Sequence, residues 1–200
     1  PFTEFLTPGL VTVAVAQNAF ANTSASLVIS KIQGYIIDTL MPPLTAHELT
    51  LAIALGGATR GVVVGALVMA AMTPFAPIGI AHPGYALFHL GAASLLLSLI
   101  GVAGGIWSDK FDHIAAVTNF VVTPLAFLSG TFYTLDRLPE AFVRVAEWNP
   151  FFYMIDGFRY GAIGYADARP LTGVLVMLAA NAALWLLCWR MFATGYKIKA

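Results

Sequence analysis

The chain has 200 residues, 59% of them hydrophobic and only 10% charged, with ten basic and ten acidic side chains and a mean hydropathy of +0.81. A soluble domain keeps about a quarter of its residues charged, so this chain cannot cover a water-facing surface and reads as an all-α, polytopic transmembrane bundle. A net charge of zero leaves no basic stripe for nucleic acid, and the single cysteine, Cys188, excludes an internal disulfide and a cysteine metal cluster.

Cys188 lies in an apolar run and reads as a small packing residue. The chain begins at Pro1 with no basic, short apolar, cleavable leader, and the reading expects a further segment ahead of it. No repeat, low-complexity tract or linker divides residues 1–200, which read as one domain.

Five apolar segments are long enough to span a bilayer, each needing about 20 residues at 1.5 Å rise. They fall near 9–30, 50–73, 85–106, 114–133 and 171–192. Runs without alternation, such as GVVVGALVMAAM at 61–72, favour helices over barrel strands.

The first span is unusually polar. Asn18, Asn22, Ser26 and Ser30 recur every four residues and form one stripe along a helix. The stripe reads either as glue between helices or as a wet face lining a path. The following loop, KIQGYIIDTLMPPLTAHEL at 31–49, contains a short apolar helix that ends at Pro42-Pro43. Thr45 and Glu48 form a capping box that opens the next helix. A hydrophobic knob exposed there invites a protein partner.

In the second span Gly57, Gly61 and Gly65 form a doubled GxxxG ridge that lets another helix dock closely. Arg60 beside it has two readings. The preferred one is a snorkelling residue that marks the cytoplasmic end of the membrane-buried part; the other is a functional intramembrane charge. The fourth span holds Asn119 and Thr123, and Pro124 should kink it. Asn181 in the fifth span reads as an interhelical hydrogen bond. His47, His82, His89 and His113 have no metal-ligand spacing, and the chain lacks GxSxG, CxxC and the Walker pattern. It hydrolyses no nucleotide by itself.

Between the last two spans, 134–170 carries four Arg and five acids. Asp136 can cap a helix with Pro139 in its first turn. Arg137, Glu140, Arg144 and Glu147 then share one face, opposite Leu138, Phe142 and Val145. Asn149-Pro150 breaks this helix, and a second follows with Asp156 and Arg159 one turn apart. Trp148, Tyr153, Tyr160 and Tyr165 suit the headgroup level. The residues leave two readings open: an amphipathic helix pair on the surface, or an external lid over a central pathway.

Orientation follows from Lys and Arg in the short loops. Arg190, Lys197 and Lys199 put the C-terminal tail inside. The 31–49 and 107–113 loops are then also inside, with residues 1–8, 74–84 and 134–170 outside. The four Arg of 134–170 sit uneasily with that assignment.

At several places the sequence resembles the membrane-spanning permease subunit of bacterial ABC-2 type transporters. The resemblance is carried by FLTPGL (5–10), QNAFANTSASL (17–27) and IIDTLMPPLTAHEL (36–49). It is carried above all by FLSGTFYTLDRLPE (127–140) and NPFFYMIDGFRYG (149–161). It covers essentially the whole chain, but members have one more span ahead of FLxPGL.

The resemblance implies a coupling helix at 36–49, with Ile37, Asp38, Leu40, Met41, Pro42, Pro43 and Glu48 docking on an ATP-binding subunit that holds ATP and Mg. It implies a path or dimer face at Asn18, Asn22, Ser26, Asn119 and Thr123. It also implies an external re-entrant helix pair holding Pro139, Glu140, Arg144, Asn149, Pro150, Tyr153, Asp156 and Arg159. The expected assembly is a homodimer with two ATPase subunits in the bacterial inner membrane, exporting a hydrophobic or amphipathic drug, lipid or glycan. The competing readings are an intramembrane lipid-modifying enzyme and a structural assembly protein.

Overall fold

A computed structural model of the chain describes residues 2–75, 79–131, 143 and 146–198, and every regular element among them is helical. Helix α1 is Phe2–Ile32, α2 Ile36–Leu40, α3 Ala46–Met72 and α4 Pro83–Trp107. Helix α5 is Phe111–Phe127, α6 Pro150–Ile163 and α7 Pro170–Thr194. Helices α3, α4 and α7 are long and apolar enough to cross a membrane. Helix α1 is longer still, but the Asn, Thr and Ser of its second half dilute its apolar character.

Helix α4 is the centre of the bundle, with 56% of its apolar stretch buried against 17% for α7. Small residues make this possible. A Cβ on Gly57 would lie 2.4 Å from Thr23 Cγ2 and 2.5 Å from Ser98 Oγ, and one on Gly61 would lie 2.2 Å from Ser94 Oγ. The doubled GxxxG ridge is thus the seam where α1 and α4 both press on α3, as close docking of transmembrane helices requires. Hydroxyl groups stitch it: Ser94 donates to the Ala58 carbonyl at 2.6 Å, Ser98 to Ala54 at 2.7 Å and Thr23 to Ser98 at 3.0 Å. Asn181 on α7 donates to the Ala92 carbonyl of α4 at 3.1 Å, the interhelical bond expected of it. Cys188 is buried and packs against α4.

The fourth apolar segment departs from its expected bounds of 114–133. Helix α5 begins three residues earlier and stops at Phe127. Its middle, Thr118–Val122, is a π-helical turn. Pro124 just beyond has no N–H to donate, and widening the preceding turn is one way a helix absorbs that loss. After Phe127 the Ser129 hydroxyl bonds the Leu125 carbonyl, Thr131 bonds Ala126 at 2.8 Å, and Gly130 takes φ 76°. That left-handed turn suits glycine and ends the helix.

The chain's connections gather at two ends of the bundle. At one end lie 31–49, 107–111 and the tail to Ile198, which are the segments the charge pattern assigns to the cytoplasm. Lys31 Nζ donates there to the Ile106 and Ser108 carbonyls at 2.8 and 2.7 Å, and Lys197 Nζ to Trp107 at 2.9 Å. These lysines serve the last carbonyls of α4, which have no partner within the helix. At the other end lie the start of α1, residues 79–82, 128–131 and α6. His82 N–H donates to the Gly161 carbonyl at 2.8 Å.

Candidate functional site

Helix α2 is a five-residue turn with one anchored side. Ile36 is buried in a cluster with Leu27 of α1, Ala54 of α3, Ile106 of α4 and Ile198 of the tail. The other side is bare: Ile37 is 64% exposed and Met41 75% exposed. Asp38, Pro42, Pro43 and Glu48 are exposed and Leu40 is half-buried. Behind the knob is a cavity of about 760 Å³, lined by Ile36, Ile37, Leu40, Met41, Lys31 and Lys197.

The capping box forms as expected. Glu48 Oε2 accepts from the Thr45 N–H at 2.7 Å and from its hydroxyl at 2.8 Å, while the Glu48 N–H donates to Thr45 Oγ1 at 3.3 Å. Glu48 therefore shapes the start of α3, and Asp38 is the carboxylate left on the knob. Asp109, at the same end, accepts from Lys197 at 3.1 Å and Lys31 at 3.4 Å. The Lys197 hydrogen bond foremost, and the two positive charges with it, hold its carboxyl below the usual aspartate range.

A second feature is the open face of α1 beside α5. Gln17 and Ser26 are exposed, and Asn18 and Asn22 half-buried. Asn18 turns its amide N–H to the Ala14 carbonyl at 3.0 Å within its own helix. Ser30 faces inward and bonds Leu27, because four-residue steps drift around a 3.6-residue helix. On α5, Asn119 and Phe120 are exposed, the latter at 80%, and Thr123 is half-buried.

Arg60 joins this face and does not mark the end of a span. It is the fifteenth residue of the 27 in α3, two residues past the Ala58–Ser94 bond that links the middles of α3 and α4. Its guanidinium turns sideways and donates from Nη1 to Asn22 Oδ1 at 2.9 Å. A charge at bilayer mid-depth costs about 2.5–3.5 kcal/mol on insertion scales, and one amide oxygen offsets only part of that.

The third feature is α6, at the end opposite α2. Asn149 caps it by accepting from the Phe151 N–H at 3.0 Å, with Pro150 in the first turn. Asn149 also donates to Ser129 Oγ at 2.9 Å. Phe151 through Arg159 are buried among α1, α4 and α7, so α6 does not lie on a surface. Tyr153 is buried among its neighbouring helices, whereas Trp148 is 90% exposed. A glycine at 157 lets α6 sit against His89 and one at 161 against the Ala86 backbone, 2.3 Å from where a Cβ would stand. Asp156 accepts the N–H groups of Asp167 and Ala168 at 2.8 and 3.0 Å, pinning the turn into α7. Pro139, Glu140 and Arg144 lie outside the described residues.

The ABC-2 type transporter family matches residues 2–163. The chain belongs to the ABC-2 type transporter family. It is 34% identical over 199 residues to the inner membrane transport permease YadH of Escherichia coli K12, a match covering 100% of this chain and 78% of that protein. Nodulation protein J of Rhizobium leguminosarum bv. trifolii is 33% identical over 112 residues, 56% of this chain and 40% of that protein. Nodulation protein J of Sinorhizobium fredii NGR234 is 25% identical over 186 residues, covering 90% and 68%. This ABC-2 chain is a transport permease and a multi-pass protein of the inner membrane. Its family pairs such membrane domains with a separate ATP-binding subunit.

Sequence reasoning missed the Arg60–Asn22 bond and the double clasp on Asp109. The partners are 38 residues apart in the first case, and 78 and 88 in the second, so no local spacing signals them.

Proposed function

We propose that this permease is the membrane-spanning half of an ATP-driven exporter, acting as a homodimer with two ATP-binding subunits. Five spans of this chain, together with a sixth ahead of them, would complete each protomer. The observation that carries the reading is the two-sided build of α2. Ile37 and Met41 stand out from the bundle end, while Ile36 is anchored on α1, α3 and α4. Three residues link α1 to α2, and five link α2 to α3. A push on the knob by closing ATPase subunits therefore reaches both helices with little slack.

In this reading the tilt of α1 and α3 opens a path between protomers, along the face of Asn18, Asn22, Ser26, Asn119 and Thr123. The re-entrant pair that includes α6 closes the path at the outer end. A coupled site must differ in affinity between the two states. The exposed Gln17, Ser26 and Asn119 support a wet or protein-covered face, since amides facing lipid are costly. Cargo that is hydrophobic or amphipathic suits spans so poor in charge. Membership of a transporter family weighs this reading above an intramembrane enzyme or an assembly protein.

The test is co-reconstitution with the cognate ATP-binding subunit. Transport and cargo-stimulated ATP turnover should require both proteins. Export by the permease alone, or no association between the two, overturns the reading.

A further inference from the structure

We infer that Arg60 and Asn22 form a recognition point for an oxyanion carried by an amphipathic cargo. The inference rests on the exporter reading and specifies the cargo class for that path.

Charge balance carries the argument. No acid occurs between Glu4 and Asp38, between Glu48 and Asp109, or after Asp167. Within residues 1–200 the middle of each apolar segment is therefore free of carboxylates, and the same residues of a second copy bring none either. Arg60 stands about 21 Å from the start of α3 and about 18 Å from its end at 1.5 Å per residue. An arginine side chain cannot bridge either distance, so a lipid headgroup at its resting depth does not reach the guanidinium.

The Asn22 bond does not account for Arg60 as a structural tie. Helices α1 and α3 are already locked through Gly57, Gly61 and Gly65, where added Cβ atoms would meet Thr23, Ala19 and Val15. The bond uses one guanidinium N–H of the five in the fork. Asn22 gives its amide oxygen to Arg60, which turns the planar group toward the open face of α1 and leaves an amide N–H₂ beside it. Ser26, one turn on from Asn22 and exposed, extends the same polar edge of that helix. A planar fork with an adjacent amide donor fits carboxylate, sulfate or phosphate oxygens. The exposed apolar side chains Val63 and Leu67 further along α3 suit an acyl or other apolar body.

The test uses the full permease with its ATP-binding subunit in phosphatidylcholine nanodiscs. The probes are fluorescent lysophosphatidylglycerol and a fluorescent monoacylglycerol of equal chain length, which lacks the phosphate. The wild type should bind the anionic probe about tenfold more tightly, a difference well within reach of a charge-assisted fork. Arg60→Gln should bring the ratio to about one, and Arg60→Lys should keep part of it because the charge remains without the fork. Asn22→Ala should lower the ratio, by loss of orientation. Competition by inorganic phosphate would assign the site to the anion alone. Its failure, with competition by unlabelled lysophosphatidylglycerol, would assign it to the amphiphile.

Equal binding of both probes by the wild type, or a ratio that survives Arg60→Gln, overturns the inference. Met41→Asp separates it from the exporter reading, since that variant should lose stimulated ATP turnover and keep the binding ratio. A preserved ratio without any stimulation in the wild type would sink the exporter reading and leave the anion site standing.

Discussion

Arg159 on α6 donates from Nη2 to the Gly130 carbonyl at 2.6 Å, tying this buried helix to the end of α5. The side chain is fully buried, lies 3.9 Å over the Phe5 ring centroid and has Nη1 3.8 Å from Asp167 Oδ2. One residue thus links α1, the end of α5, α6 and the turn into α7. Arg159→Met should leave the Gly130 carbonyl without its partner and the Asp167 carboxylate with the Tyr165 hydroxyl but no cation beside it, at a cost of about 1–3 kcal/mol. Thermal unfolding in detergent checks this. Adding Asp167→Asn should recover part of the loss, because the stranded charge goes with it. Additive losses would mean that the pair does not interact.

The glycines should rank by what a methyl group would strike. At Gly161 a Cβ would meet the Ala86 backbone at 2.3 and 2.5 Å, and at Gly101 it would meet Thr23 Oγ1 at 2.0 Å and the Phe20 carbonyl at 2.7 Å. At Gly104 nothing comes closer than 3.8 Å. Gly161→Ala and Gly101→Ala should each destabilise by about 1–3 kcal/mol through overpacking. Gly104→Ala should be neutral. Melting temperatures of the three purified variants decide the order.

The α2 knob should matter to coupling and not to folding. Met41→Asp and Ile37→Asp place a charge where the proposed docking of the ATP-binding subunit calls for an apolar contact, on side chains that are mostly exposed. Cargo-stimulated ATP turnover should fall by about tenfold or more, equivalent to about 1.4 kcal/mol of lost docking. Membrane insertion and melting temperature should stay at wild-type levels. Asp38→Ala should weaken the same coupling. Unchanged transport with both Asp38 and Met41 replaced would remove α2 from the coupling role.

The Asp109 clasp makes a pH prediction with a definite sign. Its carboxyl is held below its ordinary value of 3.8, chiefly by the Lys197 hydrogen bond. A depressed folded value means that the stabilisation is present above the unfolded value and is lost as pH falls through the folded one. Asp109→Asn should therefore lower the melting temperature at neutral pH. The gap between variant and wild type should close as pH drops below 3.8. The effect should be small and salt-sensitive, because the clasp is exposed.

Much of this architecture is legible in the sequence, and the parts that are not share a cause. Apolar length marks α3, α4 and α7, the glycine triplet marks the α1–α3–α4 seam, and Thr45 with Glu48 marks the start of α3. Each is a local pattern tied to one element's own geometry. The early end of α5 depends on how Gly130 turns its carbonyl to an arginine 29 residues away. The burial of α6 depends on glycines opposite His89 and Ala86, which no periodicity within 150–163 announces. Arg60 illustrates the same limit. Its position beside a GxxxG ridge is readable, but its depth and its Asn22 partner come only from stacking α1 on α3.

In the proposed exporter, α2 and the α6 end of the bundle face opposite sides of the membrane. Single cysteines placed by Met41→Cys and Trp148→Cys, in a Cys188→Ala background, test it directly with a membrane-impermeant maleimide. In intact cells Trp148→Cys should label and Met41→Cys should label only after permeabilisation. Equal labelling of both in intact cells, or of neither until the cells are opened, would contradict the account.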